Sequence, residues 1–380
     1  MRRFLQVVYF VGHRRSISAR ICSGRVAQVT RGAPALLRQL ETVGNWIYAL
    51  VHTKCNEWTT LRENQRAEMI IPEDPHRGLL NDESASAFAL EQLKPWTNLL
   101  RDLANYGSHL IPRAFSSSGK TLGDAVVIGV LLRQLVAMID AIEILLCRSA
   151  VHAAALQLRA MFEASVYIDW MLAADRENKA AYYYVHNLLR NRLWAMRVQS
   201  GTAESSSFKD MMHKAGLPVD ETLGDEGKNQ VQEIDRVLSQ TRFVAIRDEF
   251  RDWKKRNGRR PAWYSPLGIT DLRNMAISVN REPLYLIVYG SGSEVMHSSN
   301  YGQHVSIRSE RITFHSIRHP KEFSTTVRLT ATIAIDIFMK ILREYREGEC
   351  PRFGQKYVEK WRQAFMNIPQ LKIDEQDLGG

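Results

Sequence analysis

Apolar residues return every three or four positions along most of the chain, a spacing that predicts helices. Leu36, Leu40, Val43, Ile47, Leu50 and Val51 mark a first helical region at 35–69, ended by Pro72 and Pro75. A second helix is expected at 83–106, interrupted at Pro95. The polar segment 109–119, HLIPRAFSSSG, reads as a linker, and the main boundary is placed there. Beyond it, helices are expected at 124–147, 153–174, 178–198, 229–256, 269–279, 282–297 and 326–345. The stretch 201–227 reads as a polar surface excursion with one short helix. Weak alternation at 305–315 allows one extended segment. The predicted class is therefore all-α, an irregular multi-helix bundle with few or no strands.

The segment 124–147 is apolar enough to raise the question of a membrane helix. Arg133, Gln134, Asp140 and Glu143 recur at near-heptad spacing and form one polar stripe. That pattern points to a core helix with one wet edge, and no membrane span is expected.

Charge changes the picture at one end only. The net charge is +10, but eight arginines and no acid lie before Glu41. The rest of the chain is nearly balanced and offers no obvious footprint for nucleic acid. The N-terminal arm has three readings: weakly structured upstream sequence, a targeting segment, or an arm that binds nucleic acid. Four scattered cysteines, Cys22, Cys55, Cys147 and Cys350, form no metal motif or disulfide framework and suit a reducing cytoplasm.

Two motifs fail on inspection. Ser118-Gly119-Lys120-Thr121 resembles the end of a P-loop, but Ala114 stands where the first glycine is needed. Thr121 reads better as a helix cap. His315 and His319 have zinc-ligand spacing, yet Pro320 follows at once and no glutamate stands between them. No metal and no cofactor is expected.

The strongest constellation spans two helices. Arg159 and Glu163 lie one turn apart in an apolar helix, so they share a face that must meet polar groups or water. Tyr285, Tyr289, Ser293 and His297 follow at four-residue spacing on a second helix. The simplest reading is an intrahelical ion pair and a bonded core histidine. The sharper reading is a site with His297, Glu163 and Arg159 as catalytic residues and Tyr289, Ser293 and Tyr285 lining it.

Arg159-Ala160-Met161-Phe162-Glu163, then Trp263-Tyr264, then Tyr289 with Ser293 and His297, resemble the pattern of DUF5677, a family of uncharacterised bacterial proteins. The likeness spans 121–348, with Gly290 and Gly292 as departures in the last helix. It implies a helical fold and supplies no activity. The expected organisation is a basic arm at 1–34, a helical segment at 35–110, a core domain at 121–348 and a polar tail at 349–380 with one amphipathic piece at 357–365. Two functions follow from the constellation. One is a hydrolase, with His297 as acid–base group, Glu163 as its orienter or a second base and Arg159 as an anion clamp; RNA as its substrate is an analogy with other small helical bacterial nucleases. The other is a non-catalytic binding or regulatory protein whose polar cluster is structural. The only partner suggested is nucleic acid at the arm, and self-association is left open.

Overall fold

The computed structural model describes residues 68–71, 79–80, 82–217, 223–299, 302, 304–308 and 311–373. These belong to one compact unit, 67–380. The basic arm and nearly all of the helix expected at 35–69 lie outside the described residues. The end of that region, Glu68–Ile71, is a strand, β1.

Helices α1 (Asp82–Gln92) and α2 (Lys94–Ser117) meet at Leu93. Pro95 falls in the first turn of α2, where its missing N–H has no partner to lose. The expected linker at 109–119 is helical as far as Ser117, with Pro112 inside the helix. Leu110 and Ala114 carry on the buried stripe of Leu99, Leu100, Leu103 and Gly107, and burying it outweighs the one backbone bond that Pro112 removes. Gly107 is required by close approach: a Cβ there would lie 2.5 Å from Val136 Cγ2 and 2.6 Å from Phe338 Cζ.

Helix α3 runs Leu122–Leu146 and is π-helical over Ala125–Leu132. Thr121 caps it, accepting from the Asp124 amide, while Asp124 accepts from the Thr121 amide. By length and composition α3 could cross a membrane, and half of its most apolar window is buried inside the protein. Arg133, Gln134 and Asp140 of the expected stripe are exposed. Glu143 is buried, where it accepts from Arg101 of α2 and from the Cys147 thiol.

A turn at Ser149, in a left-handed conformation with its hydroxyl on the Ala85 carbonyl, reverses the chain into α4 (Val151–Ala173). Helix α11 (Phe323–Tyr345) packs Val327, Ala331, Ala334, Phe338 and Ile341 inward against α2 and α4. These four long helices are the core.

A second group packs around α5 (Arg176–Val198): α6 (Ala203–Lys214), α7 (Leu223–Leu238) and α8 (Thr241–Asn257). One helix was expected at 229–256; the chain instead breaks at Ser239 and Gln240. The break lets Phe243, Ile246 and Phe250 turn inward while Arg192 grips Asp235 through two bonds of 2.6 and 2.9 Å.

After Asn257 the chain returns to α4 through a 3-10 turn at Ser265–Leu267 and α9 (Leu272–Ser278). Helix α10 spans 282–296, with a π-helical Tyr285–Tyr289 between α-helical Glu282–Leu284 and Gly290–Met296. The extended segment expected at 305–315 is an antiparallel pair, β2 (Val305–Arg308) and β3 (Arg311–Phe314). The amphipathic piece expected at 357–365 in the tail belongs to a longer helix. Helix α12 (350–366) buries Phe353 and Trp361 against Tyr106 at ring separations of 5.1 and 5.5 Å. Strand β4 (Gln370–Ile373) then pairs in parallel with β1. Apart from these two pairings the described residues are helices and loops, so the fold is an all-α, irregular multi-helix bundle.

Candidate functional site

Arg159, Glu163 and Tyr167 follow one another at single turns along α4, half-buried on a helix that is otherwise largely buried. Their helix places them as a stripe because positions four apart share a face. Among the described residues no salt bridge joins Arg159 to Glu163. Each is held by a tyrosine instead. The Arg159 guanidinium lies 3.9 Å from the centre of the Tyr289 ring, and its Nη1 is 3.5 Å from the Met296 sulfur. Glu163 Oε1 accepts from the Tyr167 hydroxyl at 2.6 Å.

Helix α10 and the loop before α9 face that stripe. Tyr285 stacks on Tyr289 with ring centres 4.8 Å apart and planes 15° from parallel. Tyr264 stands 6.2 Å from Tyr167, while the buried Trp263 ring fits among Tyr167, Trp170 and Tyr183 at 5.2 to 5.5 Å. Burial, then the negative charge of Glu163, pushes the Tyr264 phenol up to about 12. The Tyr167 phenol is raised by the same two influences and by its bond to Glu163. Both phenols are therefore protonated donors at neutral pH.

Two features fix α10 against α4. Gly292 admits the close approach, since a Cβ there would lie 2.8 Å from Arg159 Cβ and 3.3 Å from the Ala155 carbonyl. Arg281, just before α10, is buried among charges. It donates to Asp169 on α4 and to Asp336 on α11, with Nη1 3.5 Å from Ser165 Oγ. Lys340 completes the cluster at 2.9 Å from Asp169 and 3.0 Å from Asp336. Two cations face two carboxylates, so the cluster is charge-balanced, as a buried group must be.

The predicted residues thus divide. Arg159, Tyr289 and Tyr285 form one stack, and Glu163 lies one turn away with its own tyrosine. Ser293 is half-buried on α10. His297 caps the C-terminal end of α10, and its side chain is exposed. Among the described residues no hydrogen bond or ion pair joins His297 to Glu163 or Arg159. The reason is geometric. Residues four apart drift by about 40° per step on an α-helix of 3.6 residues per turn, so across the α-helical Gly290–Met296 the chain turns about 80° between Tyr289 and His297. The face of α10 that meets α4 accordingly passes from Tyr289 to Gly292 and Met296. Tyr167 and the Asp169–Arg281–Asp336–Lys340 cluster escaped the sequence reading. Asp169 alone in VYIDW, and the i, i+4 pair Asp336 and Lys340 in an apolar helix, were the available signals.

The rejected motifs have specific fates. The P-loop-like start of α3 is filled by Glu177, which accepts from Thr121 Oγ1 at 2.5 Å and from the Gly123 amide at 3.1 Å. His315 bonds its amide to the His304 carbonyl and His319 bonds its amide to the Ser149 carbonyl, so the two do not share a helical turn. Among the described residues no group of three or more histidine, cysteine or carboxylate side chains could hold a metal ion.

A family model described as "Family of unknown function (DUF5677)" matches residues 124–311. Residues 124–311 belong to DUF5677. The DUF5677 segment begins inside the α3 cap and ends in the β2–β3 hairpin, so it contains all of α4, the Trp263-Tyr264 loop and α10. No curated protein and no solved structure matches the chain.

Proposed function

We propose that the chain is a non-catalytic binding protein and that the α4–α10 stripe receives a planar, hydrogen-bonding ligand of the nucleobase kind. One observation carries this reading: Arg159 and Glu163 stand a turn apart without pairing. An ion pair would satisfy both groups and leave nothing to recognise. Tyrosines hold them apart instead, so a donor and an acceptor are presented side by side. Among the described residues Glu163 Oε2 accepts no hydrogen bond, and it suits an amino or imino donor on a base edge. The Tyr285–Tyr289 stack supplies a rigid aromatic wall.

The alternative is a hydrolase acting on RNA through His297, and it needs that imidazole at Glu163. The exposed position of His297 speaks for the binding reading. The same reading keeps the protein in the cytoplasm, with α3 as a core helix; recovery in a carbonate-washed membrane fraction would overturn that part.

The test pairs thermal unfolding with a cleavage assay. Free nucleosides should raise the midpoint of the wild-type chain for at least one base, and Glu163→Gln, which keeps the shape and removes the charge, should abolish the rise. Failure of every nucleoside to stabilise would end the binding reading. Cleavage of labelled RNA that disappears in His297→Ala would establish the hydrolase in its place.

A further inference from the structure

The near-balanced charge of the body conceals one concentrated surface. Residues 251–260, RDWKKRNGRR, hold six cations and one acid. All six cations are exposed. Arg251 and Lys255 turn to Asp248 and Asp252. Lys254, Arg256, Arg259 and Arg260 form no ion pair among the described residues. A cation-rich last turn is ordinarily explained by the negative end of the helix dipole. That explanation reaches Lys254 and Arg256 but not Arg259 and Arg260, which lie beyond the left-handed Gly258 that ends α8.

A fifth cation joins them from another helix. The half-buried His186 on α5 packs 5.8 Å from Phe250, and its imidazole is held below its usual range by burial, then by Arg190, with Arg260 contributing. Arg190 lies one turn beyond His186 on the same face of α5, the face that His186 packs against Phe250 of α8. Arg190 forms no ion pair among the described residues.

This basic rim is continuous with the tyrosine stripe. Arg260 is followed by Pro261 and Ala262 and then by the buried anchor Trp263 and the half-buried Tyr264. Tyr183 on α5 meets the Trp263 ring edge-on at 5.3 Å, which ties α5 to the loop that carries Tyr264. Its phenol is raised first by burial, with Arg190 lowering it and Glu163 raising it.

We infer that the rim and the stripe form one track for single-stranded nucleic acid, with phosphates on Arg190, Lys254, Arg256, Arg259 and Arg260 and a base against Tyr264, Tyr285 and Tyr289. Cations that follow a backbone, ending at stacked aromatic rings, are the combination by which proteins hold unpaired strands. A duplex fits less well, because its bases are already stacked and cannot reach the tyrosines. This inference rests on the binding reading of the stripe and names its ligand.

The experiment is fluorescence anisotropy on the full chain with labelled single-stranded RNA, the same sequence as DNA, and a duplex, across a salt series. The comparison is wild type against Arg256→Gln/Arg259→Gln/Arg260→Gln, all exposed, so that folding is preserved. Expected are tighter binding of single strands than of duplex, at least a tenfold loss in the triple variant, and a fall of about 2 in the log–log salt slope, at roughly 0.7 per phosphate. Tyr289→Ala should weaken single-strand binding and leave duplex binding unchanged. The RNA and DNA arms show whether the 2′-hydroxyl contributes. Unchanged affinity in the triple variant would overturn the inference and assign any binding to the arginine-rich arm. Binding to anionic phospholipid vesicles that the triple variant loses, without single-strand binding, would overturn it too. Nucleoside stabilisation that survives in the triple variant would show that the stripe reading stands even where the track fails.

Discussion

Arg159 and Tyr289 meet as cation and ring across two helices, 3.9 Å from guanidinium carbon to ring centre. The contact joins a helix of the core to the helix that closes the candidate site. A double-mutant cycle of Arg159→Ala and Tyr289→Ala should return a coupling of about 0.5–2 kcal/mol by urea unfolding. Tyr289→Phe should keep most of it, because the ring face and not the hydroxyl makes the contact. Additive single effects would show that the contact contributes no stability of its own.

Gly292→Ala inserts a methyl group where 2.8 Å separates it from Arg159 Cβ. The helices must part or the arginine must move, at a cost of about 1–3 kcal/mol. Nucleoside stabilisation should fall in the same variant. Gly290→Ala, with nothing within 4 Å of its added carbon, is the matched control and should be close to neutral.

Arg281→Met should be among the most damaging single changes, at about 3–5 kcal/mol, since it leaves Asp169 buried with Lys340 as its remaining cation. Chemical unfolding reads it directly. The double variant Arg281→Met/Asp169→Leu should recover much of the loss, because the buried carboxylate that lost its arginine is gone. No recovery would mean that the cluster does more than balance charge.

Alkaline pH offers a test of the tyrosine environment. The Tyr264 phenol is raised by burial to about 12 in the folded chain, against about 10 when unfolded. Its contribution to stability is therefore complete below pH 10 and is lost as pH rises towards 12, because the unfolded chain sheds its proton first. Tyr264→Phe should flatten the fall in urea midpoint across that window. An unchanged slope would place the phenol in water.

Leu135 is fully buried on α3. Leu135→Ala should cost about 2–5 kcal/mol, whereas Val130→Ala, at an exposed position of the same helix, should cost far less. Equal effects would argue against α3 being a helix of the core.

Helices and their order were legible because each long helix buries a periodic face of its own. What escaped the sequence depends on contacts between distant segments. Pro112 and the polar run before Gly119 look like a linker until α11 supplies Phe338 as a lid for Gly107. Trp361 lies in the amphipathic piece at 357–365, but what that piece packs on was not legible, since Tyr106 is far away in the chain. At the site, Arg159, Glu163, Tyr285 and Tyr289 were visible as faces of helices, whereas Tyr167 was not. The position of His297 was not, since a four-residue spacing read on paper ignores the drift around the helix. The basic rim was hidden by averaging charge over the whole body.

The bond between Glu177 and the start of α3 bears on sliding. Helix α4 is apolar along nearly all of its length, so its packing on α3 distinguishes weakly between positions one turn, about 5.4 Å, apart. Two stops remove that freedom. At one end Ser149 holds the turn on the Ala85 carbonyl. At the other, Glu177 grips Thr121 and Gly123, while Arg176 reaches Asp124 at 3.5 Å and Glu344 at 2.7 Å. The pair behaves as a ruler clamped at both ends, and the height of Arg159 and Glu163 opposite α10 is set by clamps that lie in neither site.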